Sequence, residues 1–213
     1  MTVEGALATI CFAVPASERP RLPLAILQEA EAAAAQSPVR MGGPGDLDLL
    51  FAAVRLSGAQ RVVETGVAYG WSSLAILAAM DDGRNGRLAS VDMPYPKMAN
   101  EAFVGVVVPE RLRGGWTLVR QPDRFGLDRA ISALGGTIDL AHYDSDKSWQ
   151  GRRWAYPRLW AALRPGGLFI SDDIQDNMAF AEMVAEMGLP FTVTHSGGKF
   201  VGLVRKPVNG SGG

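Results

Sequence analysis

Residues 61–73 read Arg-Val-Val-Glu-Thr-Gly-Val-Ala-Tyr-Gly-Trp-Ser-Ser. A β-branched run from Arg61 to Thr65 stops at Gly66, and an unbroken apolar stretch follows from Ser72 to Met80. This order predicts a strand, a sharp glycine turn and a helix. In an open α/β sheet, ligands bind beyond the carboxyl ends of the strands, so the turn after this strand is the first candidate site. Glycines at 66 and 70 let the backbone bend tightly and approach a ligand closely. The spacing is E-x-G-x-x-x-G, which differs from the G-x-G-x-x-G that cradles a pyrophosphate.

The same alternation continues outward. Leu88–Asp92, Trp116–Arg120, Ile138–Tyr143 and Gly167–Ser171 read as strands, and Phe125–Leu134, Arg152–Leu163 and Met178–Met187 as helices. Strands and helices in turn indicate βαβ units and a parallel sheet. Phe191–His195 and Lys199–Arg205 are separated only by Ser196-Gly197-Gly198, too short for a parallel crossover and suited to a hairpin. The expected fold is α/β, a Rossmann-like doubly wound, mostly parallel seven-stranded sheet ending in an antiparallel hairpin. Residues 1–45 form an N-terminal helical lead-in, broken by Pro15, Pro20 and Pro23, with a helix at Leu24–Gln36 and a glycine joint at Met41–Gly45. The ligand-binding domain spans 46–206, opening on Asp46 as a helix cap, and 207–213 is a disordered tail.

Composition narrows the function classes. Of 213 residues, 47% are apolar and 20% charged, values of an ordinary globular chain. Lys and Arg number 21 against 22 Asp and Glu, so the basic surplus typical of nucleic-acid binders is missing. The single cysteine, Cys11, cannot form an internal disulfide and fits a reducing cytoplasm. The apolar run Ala6–Val14 is too short to span a bilayer and lacks the basic start of a signal peptide. No nucleic acid and no membrane is expected as partner, and the expected location is cytoplasmic.

Val62-Val63-Glu64-Thr65-Gly66, followed by Gly70 and Ser72, resembles motif I of the class I S-adenosylmethionine-dependent methyltransferases. The resemblance covers roughly residues 40–206 and implies S-adenosylmethionine as cofactor. It places Glu64, Thr65, Gly66, Tyr69, Gly70 and Ser72 around the cofactor and Asp92 on its ribose hydroxyls. The third strand ends Arg120-Gln121-Pro122-Asp123 where relatives often show Gly-Asp-Ser, leaving Gln121 and Asp123 as candidates for the adenine. Asp144 completes the cofactor set. Tyr69 and Trp71 are placed to face a sulfonium, and Trp71 is equally suited to the core. Taken singly, the glycine turn occurs in any doubly wound protein, and Asp92 also suits a turn before Pro94.

The fourth strand ends Tyr143-Asp144-Ser145-Asp146-Lys147 and the fifth Ser171-Asp172-Asp173-Ile174. Asp144, Asp172 and Asp173 then meet at one edge of the sheet, and carboxylates that close repel unless a cation neutralises them. Oxygen-only ligands select a hard ion, Mg²⁺ first. The pattern resembles the metal-dependent O-methyltransferases acting on catechols and caffeoyl-CoA and on natural-product sugars. In the catechol group a D-x-x-K on the fourth strand supplies a metal ligand and a base, and Asp144 and Lys147 match that spacing. The resemblance implies a small hydroxylated acceptor, phenolic or sugar, chelated to Mg²⁺ on Asp144, Asp172 and Asp173. Lys147 takes the proton as a neutral amine, its pKa depressed by burial and the cation.

Structural readings stand beside these. Lys147 could be a solvated lysine beside Asp146, Asp172-Asp173 could begin a turn, and Asp176-Asn177 could cap a helix. His142 reads as a core histidine, His195 as structural, and Trp149, Trp154, Tyr156 and Trp160 as packing. The long stretch Met93–Pro109 has the length of a lid and, with the N-terminal helix, is where acceptor specificity is expected. A homodimer is one assembly the N-terminal segment could build. The other function classes are a metal-independent methyltransferase, a non-catalytic cofactor-binding protein, and a nicotinamide dehydrogenase, which the missing G-x-G-x-x-G disfavours.

Overall fold

A computed structural model describes residues 1–10, 12–94 and 99–208. Cys11, the stretch 95–98 of the lid segment and tail residues 209–213 lie outside the described residues, and with them the expectations placed there.

Seven strands form one sheet: β1 (Arg61–Thr65), β2 (Arg87–Val91), β3 (Trp116–Val119), β4 (Ile138–Tyr143), β5 (Leu163–Ser171), β6 (Phe191–Ser196) and β7 (Lys199–Arg205). Their order is β3-β2-β1-β4-β5-β7-β6. Neighbours run parallel from β3 to β5, and β7 joins antiparallel to β5 and to β6. The Ser196–Lys199 hairpin takes Gly197 and Gly198 at positive φ, 57° and 82°, which only glycine adopts cheaply. The order reverses between β1 and β4, so their carboxyl ends open a crevice at the switch point. Thr65 is in register with Tyr143, and Tyr143 with Ser171, which brings the loops after β1, β4 and β5 to one level.

Helices cover both faces. α1 (Val3–Thr9), α3 (Leu47–Ser57) and α4 (Trp71–Met80) contribute to one apolar cluster, joined by α2 (Leu24–Ala35) through Ala30. α5 (Asp123–Ala133), α6 (Trp149–Ala162) and α7 (Ala179–Met187) build the other. Asp46 caps α3 as its composition predicts, accepting from the Leu49 amide at 3.1 Å, and Gly58 in the left-handed region ends that helix.

Two starts differ from the sequence expectation by more than two residues, and one helix is added. α6 starts at Trp149 rather than Arg152, because Ser148 accepts from the Gly151 amide at 3.0 Å and serves as the cap. β5 starts at Leu163 rather than Gly167, with a register shift opposite Ile138/Leu140. Arg164 is drawn to Asp139, Nε to Oδ1 at 2.6 Å, and this keeps the early part of β5 on the sheet. The lead-in carries a helix, α1, that the sequence did not mark as separate. It buries Ala6 and Leu7 completely, and the Ile10 carbonyl accepts from Arg205 Nη1 at 3.3 Å.

Candidate active site

A cavity of about 860 Å³ opens at the carboxyl ends of β1, β2, β4 and β5. Gly66, Ser72, Asp92 and Asp123 line one end of the sequence-derived set, and Asp144, Lys147, Asp172 and Asp173 the other. Residues 40–43 and Gly45 add a wall that the fold brings over from the N-terminal side. The volume is in the range of small-molecule sites, roughly 300–1,000 Å³.

The loop after β1 is built around two close approaches. Gly66 has φ +80°, and a Cβ there would collide with the Asp144 carbonyl oxygen. Gly70 has φ +93°, and its Cβ would lie 2.9 Å from the Cα of Gly105. Between them Ala68 is held at φ +49°, a conformation that costs a non-glycine residue energy and persists only where neighbours over-determine it. Those neighbours include Asp92, whose Oδ1 accepts from the Val67 amide at 2.8 Å and the Ala68 amide at 3.3 Å. Its Oδ2 is paired with Arg120. Each carboxylate oxygen carries two lone pairs, so Asp92 retains acceptor capacity toward a diol while it orders the loop.

The remaining residues of the expected cofactor set fall in two places. Asp123 begins α5 beside the cavity, its Oδ2 2.5 Å from Ser145 Oγ, which is also 2.9 Å from Thr65 Oγ1. Burial raises the Asp123 pKa, and the Ser145 contact opposes that rise. Glu64, Thr65, Tyr69, Gly70 and Gln121 are not in the cavity wall. Glu64 lies wholly beneath it, with Oε2 accepting from Ser73 Oγ at 2.5 Å and Ser90 Oγ at 2.7 Å. The Tyr69 hydroxyl donates to the Val39 carbonyl, and Gln121 Oε1 accepts from Arg129 on the exposed side of α5. Trp71 does reach the wall.

The reacting end is a chain of alternating charges. Lys147 Nζ pairs with Asp144 Oδ1 and lies 2.7 Å from Asp173 Oδ2, which Lys199 approaches to 3.8 Å. Asp172 Oδ1 is 3.3 Å from His142 Nε2, and His142 Nδ1 is 3.7 Å from Glu64 Oε1. Burial alone would keep His142 neutral, but the hydrogen bonds and charges of Asp172 and Glu64 push its pKa up to about 10. Burial and the Asp172 charge raise the Asp144 pKa against the pull of Lys147 and His142. For Lys147, burial favours the neutral amine, yet attraction to Asp144 and hydrogen bonds to Asp144 and Asp173 outweigh it, and the pKa is raised. Two carboxylates flank the amine, and their attraction opposes the burial that was expected to depress its pKa.

Arg152, to which the sequence assigns no site role, and His142 support this end. Arg152 is completely buried and donates through Nη2 to the carbonyls of Asp172 (3.3 Å) and Asp173 (2.8 Å). It thereby pins Asp173, which sits in the left-handed region at φ +52°. His142 is buried as the core-histidine reading expects, and it also links Glu64 of β1 to Asp172 at the end of β5. Trp149 turns away from the cavity and donates to Glu182 at 2.9 Å. Of the lid segment, Asn100 lines the cavity, and Gly105 and Val107 donate to the carbonyls of Ala68 and Tyr69.

Residues 63–174, more than half of the chain, match the family described as "Methyltransferase domain". The chain belongs to the methyltransferase domain family. It is 30% identical over 121 residues to the catechol O-methyltransferase domain-containing protein 1 of Mus musculus, a stretch that is 56% of this chain and 44% of that one. The chain thus spans less than half the length of that curated relative. The fold is shared with an O-methyltransferase from Bacillus cereus solved in complex with SAH, at TM-score 0.63, 17% identity and coverage of 96% and 97% of the two chains. It is also shared with TomG of Streptomyces achromogenes, an O-methyltransferase involved in tomaymycin synthesis solved with SAM, at TM-score 0.60, 18% identity and coverage of 89% and 93%.

The cavity of this methyltransferase suits a polar cofactor. Two buried polar atoms of its wall residues, Trp71 Nε1 and Asn100 Oδ1, have no hydrogen-bond partner among the described residues. Gly66, Val67 and the strained Ala68 line that end. The three carboxylates expected to hold Mg²⁺ have suitable oxygen donors but an unsuitable arrangement. The Lys147 ammonium lies between Asp144 and Asp173, and Asp172 is turned to His142. Among the described residues no three acidic, imidazole or thiol side chains gather around one point. No described helix is long and apolar enough to cross a membrane.

Proposed function

We propose that this methyltransferase transfers a methyl group from S-adenosylmethionine to a hydroxyl oxygen of a small molecule, with the Lys147–Asp144 pair handling the proton. The observation that carries the reading is the juxtaposition, in one cavity, of the Gly66–Ala68 loop with that pair. The bound cofactor supplies an electrophilic methyl group on a sulfonium. Asp92, Ser72 and the backbone of the loop after β1 bind the cofactor, and Asp123 with Ser145 closes its far end.

Lys147 works here as an ammonium. It anchors the acceptor hydroxyl and stabilises the negative charge that grows on its oxygen, an electrostatic role that a partly buried site strengthens. The proton passes to the Asp144 carboxylate, whose affinity for it burial and Asp172 increase. The oxygen–methyl bond forms as the sulfur–methyl bond breaks, and Asp144 afterwards returns the proton to water. Asp173 and Arg152 hold Lys147 and the β5 end in place. Positioning supplies much of the acceleration.

Methyl transfer is read by mass spectrometry on phenolic and sugar acceptors. Lys147→Ala and Asp144→Asn each lower kcat by about 10²–10⁴-fold, and Lys147→Ala leaves S-adenosylhomocysteine binding intact. Undiminished turnover in either variant overturns the assignment of the pair. A second reading, the Mg²⁺-assisted one, rests on the oxygen-only donor set of Asp144, Asp172 and Asp173. Turnover abolished by a chelator and restored by Mg²⁺ would favour it over the ammonium mechanism.

A further inference from the structure

Two arginines of the cavity wall, Arg40 and Arg124, have no carboxylate within 4 Å among the described residues, and Arg124 lies over the Trp154 ring, 5.4 Å from its centroid. Lys147 is held by Asp144 and Asp173, Lys199 stands by Asp173, and His142 lies between Asp172 and Glu64. Asp144, Asp172 and Asp173 thus each face a lysine or His142, with His142 shared by Glu64. Asp146 lies in the cavity wall but is exposed and accepts from the Ser148 amide at 2.8 Å. Arg40 also lines the cavity and is exposed, yet no carboxylate lies within 4 Å of it among the described residues.

The backbone around Arg40 is fixed. The Val39 carbonyl accepts from the Tyr69 hydroxyl, and Met41 Sδ accepts from Asn100 Nδ2 at 3.5 Å. Gly45, farther along, packs against Asp172, since a Cβ there would lie 2.8 Å from its Oδ2. The segment therefore crosses from the loop after β1 to the end of β5, and Arg40 sits between two tethered neighbours. Gly42 and Gly43 meet nothing within 4 Å at their Cβ positions, so the wall next to Arg40 in the chain is open. A planar guanidinium with free donors on the wall of a binding cavity is matched to a carboxylate, which it binds through two parallel hydrogen bonds.

We propose that the methyl acceptor is an acidic hydroxylated molecule whose carboxylate is held by Arg40 while its hydroxyl meets Lys147. This rests on the hydroxyl-methylation reading above and adds the chemical class of the acceptor. Arg40 is then a specificity-determining residue, and residues 39–45 are the wall that selects.

The test uses matched acceptors that differ only in charge, such as 3,4-dihydroxybenzoate against 3,4-dihydroxybenzamide and glucuronate against glucose. The full chain methylates the acid of a pair with kcat/KM higher by about 10- to 100-fold, the worth of a charge-assisted hydrogen bond. In Arg40→Gln this ratio collapses toward one through a rise in KM for the acid, and Arg40→Lys restores part of it. A neutral member used as well as its acid, or a preference that survives in Arg40→Gln, overturns the proposal and leaves hydroxyl methylation standing. If S-adenosylhomocysteine stabilises the chain but neither member of any pair is methylated, the hydroxyl reading fails and the proposal falls with it.

Discussion

Replacing His142 with leucine removes the single group that separates two buried carboxylates. In the native chain its ring is fully buried, 3.3 Å from Asp172 and 3.7 Å from Glu64. Leucine fills much of the same space, so the packing loss is small and the electrostatic loss dominates. Deleting one partner of a buried ion pair costs about 3–5 kcal/mol, because the partner is left charged in a poor solvent. For a chain of this size each kcal/mol moves Tm by about 2–4 °C, which makes the expected drop about 6–20 °C. Thermal melts followed by circular dichroism at pH 7 give the number. The His142 pKa is raised from 6.5 to about 10, so its contribution is complete below pH 6.5 and is lost as pH rises through 10. The wild type therefore loses more stability than His142→Leu between pH 7 and pH 10, and the two curves converge. In a Glu64→Gln/Asp172→Asn background, adding His142→Leu costs far less, since nothing charged is left unpaired. A drop under 3 °C, or an equal cost in both backgrounds, would refute the account.

Gly66→Ala strains a residue at φ +80° and drives a methyl group into the Asp144 carbonyl. The stabilisation by S-adenosylhomocysteine at 100 times its Kd, about 2.7 kcal/mol in the wild type, should largely vanish from the melt of that variant. Leu7→Ala opens a cavity under α1 and should cost about 2–5 kcal/mol in denaturant titration, whereas a lead-in that merely rests on the domain would lose nothing. Asp139 accepts from the amides of Gln60 and Arg61 at 3.0 and 2.8 Å and from Arg164. Despite partial burial, these hydrogen bonds lower its pKa, so its contribution is present above about pH 4 and disappears as pH falls through the folded value. The Tm gap between wild type and Asp139→Ala should be widest at neutral pH and close in acid.

The sheet was legible because its signals are local. A β-branched run, a glycine turn and an apolar helix can be read within fifteen or so residues, and Ser196-Gly197-Gly198 allows only a hairpin. α1 was hidden by its brevity, since Val3–Thr9 completes only two turns and shows no periodicity of its own. The cavity was partly legible. Strand ends placed Gly66, Asp92, Asp144 and Lys147 on one edge, but whether a side chain faces the cavity or lies beneath it depends on register. Glu64 is opposite His142 on β4 and Ser90 on β2, and those across-strand neighbours, far away in sequence, draw it under the floor. Gln121 was misdirected for a similar reason, as Arg129 one helix turn pair further along takes its side chain. The protonation of Lys147 could not be read from D-x-x-K alone. Its direction is decided by Asp173, on another strand end, which joins Asp144 against the effect of burial. Arg152 gave no signal at all, being one arginine among several on α6.

Nothing larger than hydrogen fits between Gly66 and the Asp144 carbonyl. The loop proposed to hold the cofactor and the loop proposed to meet the acceptor are consequently one mechanical part, and neither can be redrawn without moving the other. The 39–45 wall is different in kind, a strip strung between Tyr69, Asn100 and Asp172 with open glycines at its middle. Change is inexpensive there. A lineage carrying this chain could exchange one acceptor for another by rewriting that strip while the transfer chemistry stays fixed, so diversity among its descendants should concentrate before the first strand.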